Sequence, residues 1–158
     1  MRKALKSGIS FGLTSGVITT LGLMIGLYAS TNSKLAVTGG IITIALADAM
    51  SDALGMHISK ESEKDATKKE IWGATIGTFL SKIIIAPTFL IAIIFLPLMH
   101  AIIINIFWGI FLISALSYKI AINRKEKPAH VIFEHLLITS MVIILSDLIG
   151  RGIAYLFA

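Results

Sequence analysis

Cysteine is absent from the 158-residue chain, which excludes disulfides, thiolate metal sites and thiol nucleophiles. Charge is scarce too: Asp, Glu, Lys and Arg make up 15% of the residues, while 56% are hydrophobic. A soluble domain of this length needs far more polar surface to cover its core. Catalytic signatures are also missing. There is no G-x-x-x-x-G-K-[ST] phosphate loop, no G-x-S-x-G elbow and no H-E-x-x-H pair. No serine stands in a recognisable nucleophile context with a histidine partner, so the chain is not expected to be an enzyme.

What the chain does have is long apolar runs. A hydrocarbon core of about 30 Å needs roughly 20 helical residues. Five such stretches occupy most of the sequence, at about 8–30, 35–57, 71–96, 101–118 and 129–157. The reading is an all-α integral membrane protein, a single membrane domain of five transmembrane helices over 1–158. Loops fall at about 58–70 and 119–128. Pro87 should kink the third span, and Pro97 marks a tight connection.

The net charge of +5 does not point to nucleic acid, because the basic residues cluster between apolar runs, where they set topology. Eleven Lys and Arg lie in the N-terminus and the two loops, against Lys34 alone on the other side. That asymmetry predicts a cytoplasmic N-terminus and an outer C-terminus. Arg2, Lys3 and Lys6 resemble the charged start of a signal peptide. The apolar run after them continues to about Ser30, too long for a signal core, so it reads as a retained first span. The expected location is a membrane crossed several times, the cell membrane if the host is a prokaryote.

Gly8, Gly12 and Gly16 recur every four residues in the first span. This spacing makes a flat ridge on which another helix can come close. Packing within the chain and a homodimer contact both fit it.

Ionised groups inside a bilayer cost about 2.5–3.5 kcal/mol each even on the lenient insertion scale. Asp48 and Asp52 lie four residues apart on one face of the second span, with Met56 one turn further on. Carboxylates about 6 Å apart on a helix repel one another, so one should hold a proton unless a cation lies between or near them. Oxygen ligands that bind a divalent ion and reload with protons would behave in this way, and the Met56 thioether would favour Fe2+ over Mg2+. The alternative is that Lys82 or Arg151 neutralises an aspartate and ties the bundle together. Asp147 and Arg151, acid four residues before base, are expected to form an intrahelical ion pair. Glu134 and His135, with Glu61 in the loop, are candidates for a cytoplasmic entrance. Asn105 reads as interhelical glue.

With those residues in view, the chain resembles the vacuolar iron transporter family in its small prokaryotic form. The run from Phe11 to Gly22 is similar to the family's first-span signature, Gly-Leu-Asn-Asp-Gly-Leu-Val-Ser-Thr. The run from Ala47 to Ser59 is similar to its second-span signature, Ala-Asp-Gly-x-Ser-Met-Ala-x-Gly-Glu-Tyr-x-Ser, and Leu148 to Arg151 resembles the end of its fifth span. The resemblance implies a homodimer whose first two spans line a path for Fe2+ or Mn2+, with proton-coupled export from the cytoplasm. Three positions depart from the pattern. Ser15 stands where the family places aspartate, Asp52 where it places methionine, and Met56 where it places glutamate. The loop at 58–70 is short and as basic as it is acidic, so the family's cytoplasmic metal-binding bundle is not expected here.

The expected function is therefore export of a divalent transition metal through Asp48, Asp52, Met56 and Ser15. The ion is cargo, and no permanently bound cofactor is expected. Expected partners are the lipid bilayer and a second copy of the chain through Gly8, Gly12 and Gly16, with no nucleic acid. Two rivals stand beside this: a non-transporting scaffold whose buried charges only pair, and an intramembrane enzyme holding Mg2+ on the aspartates.

Overall fold

The computed structural model describes residues 2–157, and six helices cover nearly all of them: α1 Arg2–Thr31, α2 Lys34–Glu61, α3 Lys68–Ile85, α4 Thr88–Phe95, α5 Leu98–Arg124 and α6 Pro128–Phe157. Five segments are long and apolar enough to cross a membrane, because α3 and α4 together make one span, Lys68–Phe95. Pro87 divides that span. It brings no N–H to the carbonyl of Ile83, so the helix breaks after Ile85 and restarts at Thr88.

The helix ends follow from short-range chemistry. Asn32 adopts a left-handed φ of 44°, which asparagine tolerates better than most residues, and this ends α1. Ser33 then caps α2 by accepting the Ala36 N–H at 3.2 Å. At the start of α3, the Glu70 carboxylate accepts from the Thr67 hydroxyl at 2.8 Å and its backbone N–H at 3.3 Å. Lys34, the lone basic residue on its side of the sequence pattern, bonds the carbonyls of Ile94 and Leu96 at 3.1 and 3.3 Å. It thus caps the orphan carbonyls at the end of α4.

Helix α1 is the axis of the bundle and packs on α2, α3, α5 and α6. Its Val17, Leu21 and Met24 are fully buried, together with Val37, Phe89 and Ile93. The glycine ridge is filled from within the chain. A Cβ on Gly8 would overlap the Ala74 carbonyl, one on Gly12 would lie 2.5 Å from the Thr78 carbonyl oxygen, and one on Gly16 would lie 2.6 Å from Ile85 Cγ2. Thr78 crosses the same seam to bond the Gly8 carbonyl at 3.1 Å. The expected dimer contact through Gly8, Gly12 and Gly16 is therefore corrected: α3 covers all three glycines, because without side chains they let its backbone approach.

The remaining outer surface is apolar. Leu46, Leu54, Phe107, Phe111, Leu137 and Ile144 are each more than half exposed, as residues facing lipid should be. Asn105, buried on α5, donates to the Phe89 carbonyl at 2.8 Å and lies 3.3 Å from Met24 Sδ. One amide thus ties α5 to α4 and α1.

Candidate functional site

Three helices bring one polar residue or a pair each to a common point. Ser15 and Thr19 come from the middle of α1, Asp48 and Asp52 from the middle of α2, and Lys82 from one turn before the Pro87 break. The close α1–α3 crossing sets this meeting. Gly16 leaves room for the Lys82 stem, whose Cγ would lie 3.1 Å from a Cβ added at that glycine.

The Lys82 ammonium contacts Asp48 Oδ2 and Asp52 Oδ2 and donates to Ser15 Oγ at 2.9 Å. An ammonium carries three protons, so this tripod uses all of them. The Ser15 hydroxyl donates its own hydrogen bond to Asp52 Oδ2 at 2.6 Å. The Thr19 hydroxyl lies 2.9 Å from Asp48 Oδ2 and 2.9 Å from the Ser15 carbonyl, and its single proton serves one acceptor at a time. Lys82 is 1% exposed, whereas the aspartate side chains are 22% and 21% exposed. The cation thus enters from the protein side, and the acids open outward.

This geometry is the alternative raised from the sequence, with Lys82 and not Arg151 as the neutralising cation. The two carboxylates do not face an open cavity away from basic side chains, because Lys82 lies between them. The repulsion that called for a proton is met by an ammonium. With both acids ionised, the cluster keeps one net negative charge. Sequence reasoning offered Lys82 and Arg151 as alternative partners for an aspartate and overlooked Thr19. The signals were present: Thr19 follows Ser15 by four residues on the same face, and a lysine near the middle of a span needs acids beside it.

Met56 lies one turn beyond Asp52, half-buried and outside the hydrogen-bonded cluster. No group of three or more His, Asp or Glu side chains suited to a metal occurs among the described residues. An ion held here would rest on two carboxylates and on neutral donors such as Ser15 Oγ. The candidate entrance residues are not gathered. Glu61 is exposed at the end of α2, Glu134 pairs with His130 at 3.3 Å on the surface, and His135 turns to Ser117 on α5 at 2.7 Å. Arg151 Nε donates to Asp147 Oδ2 at 2.7 Å, one turn apart on α6 and away from the cluster.

Fold and site together define an integral membrane protein that crosses the bilayer several times and carries a charged cluster within its bundle. A match to the model of the VIT family covers residues 6–73, less than half of the chain. It spans α1, α2 and the start of α3, which includes both aspartates, Ser15 and Thr19 but not Lys82. No curated protein and no solved structure matches the chain.

Proposed function

We propose that the chain exports a divalent transition metal, Fe2+ or Mn2+, from the cytoplasm in exchange for protons, with Asp48 and Asp52 as the ion's main ligands. One observation carries the reading: two carboxylates in the middle of α2 converge through their Oδ2 atoms on one cation position, inside the segment that matches the family. Convergence of hard oxygen donors on a point is what a divalent ion requires, and their outward exposure gives an ion a way in. Ser15 adds a neutral oxygen, and Met56 is an accessory thioether one turn away. The N-terminus is cytoplasmic in this reading. A homodimer belongs to it as well, joined on the side of α1 and α2 where the acids open, since α3 covers the glycine ridge.

The test is Mn2+ uptake into proteoliposomes under a proton gradient. The wild type should accumulate Mn2+, and the Asp48→Asn, Asp52→Asn protein should not. Equal rates would remove the aspartates from the reading. A second reading has its own observation in its favour. Because all three Lys82 protons are satisfied, the cluster also works as a closed ion-pair clasp in a non-transporting scaffold. That reading predicts loss of assembly in the double variant, with no metal dependence in the wild type.

A further inference from the structure

We propose that the Lys82 ammonium is the resident occupant of the cation site, an internal competitor that a divalent ion must displace in order to bind. The inference rests on the proposed function and assigns a residue outside the family match. Asp48 Oδ2, Asp52 Oδ2 and Ser15 Oγ surround Lys82 Nζ as a tripod, and they are the same oxygens that an ion entering from the exposed side would meet. The position holds one cation. A second placed within contact distance of the first would be repelled strongly in so dry a setting. The ammonium sits on a flexible four-carbon stem, so the charge can withdraw by rotation about the bonds of its own side chain.

Such an occupant has two consequences. The empty site keeps its acids compensated inside the bilayer, which lets an unloaded transporter stay folded. It also weakens every ion that binds by the free energy of expelling the ammonium, which sets affinity low enough for release. Lys82 is thus a specificity-determining and affinity-setting residue, not a ligand.

The experiment is calorimetric titration of the full-length, detergent-purified chain with Mn2+, with helical content checked by circular dichroism. Lys82→Met should bind at least tenfold more tightly than the wild type, and Lys82→Arg, which keeps a cation, should stay within about threefold of it. Lys82→Met that is folded yet binds no more tightly overturns the inference alone, provided that the wild type binds and Asp48→Asn, Asp52→Asn does not. Failure of both wild type and Lys82→Met to bind Mn2+ overturns the proposed function as well. If Lys82→Met does not fold, the wild type labelled with 15N-lysine decides the matter. The Lys82 ammonium resonance should shift in step with saturation by diamagnetic Zn2+, and a resonance unmoved at saturation contradicts displacement.

Discussion

The Ser15 hydroxyl donates to Asp52 Oδ2 at 2.6 Å, linking α1 to α2 at mid-span. Ser15 Oγ in turn accepts from Lys82 at 2.9 Å, so a single serine bridges the cation and one of its acids. Ser15→Ala breaks both links. A hydrogen bond to a charged group contributes about 1.5–3 kcal/mol, and the half-buried position places this one at the lower end. Thermal unfolding in detergent should report a loss of that order. Ser15→Asp, which restores the residue type of the family signature, adds a third acid and should tighten Mn2+ binding in a calorimetric titration. Weaker binding would contradict the placement of Ser15 in the site.

Lys82→Met should destabilise the empty protein severely. Removing one partner of a buried ion pair typically costs about 3–5 kcal/mol, because the uncompensated charge stays behind. Adding Asp48→Asn and Asp52→Asn to Lys82→Met should recover most of that loss, since no charge then remains in the cluster. Unfolding midpoints of the single and triple variants measure the difference. Saturating Mn2+ should raise the midpoint of Lys82→Met more than that of the wild type, as ligand linkage requires of the tighter binder.

The α1–α3 seam gives a prediction independent of the charges. Gly12→Leu would drive a side chain into the Thr78 carbonyl and Ser81 hydroxyl. Overpacking generally costs about 1–3 kcal/mol and more where backbone is struck, so little folded protein should be recovered. Gly39→Ala, with nothing within 4 Å of the added Cβ, should be neutral or stabilise α2 by up to about 1 kcal/mol. Yields of monodisperse protein on size exclusion distinguish the two.

Asn105→Leu separates packing from ion handling. It removes the amide that joins α5 to the Phe89 carbonyl at 2.8 Å, a net loss of about 1 kcal/mol. Mn2+ affinity should stay at the wild-type value, because Asn105 lies outside the cluster. A changed affinity would tie the two regions together.

Much of the fold was legible because bilayer thickness imposes span length, and Pro87 cannot continue a hydrogen-bonded helix. The shared face of Asp48 and Asp52 was legible from their spacing alone. What opposes that face was not. A small-xxx-small ridge announces a close approach without saying which helix makes it, so Gly8, Gly12 and Gly16 fitted a dimer as well as α3. In the structure, contacts at Gly8, Gly12, Gly16 and Gly77 fix the register of α3 against α1, and that register delivers Lys82 to the acids. Glu61, Glu134 and His135 share the side predicted to be cytoplasmic, but each has a different orientation or partner. Sequence position gives depth in the membrane and not rotation about each helix.

The most direct test is anomalous diffraction at the manganese edge from crystals equilibrated with Mn2+. The account predicts a single strong peak bridging Asp48 Oδ2 and Asp52 Oδ2, with the Lys82 ammonium withdrawn from both. Lys82 still seated between the aspartates, with the peak elsewhere or absent at saturating Mn2+, would contradict it.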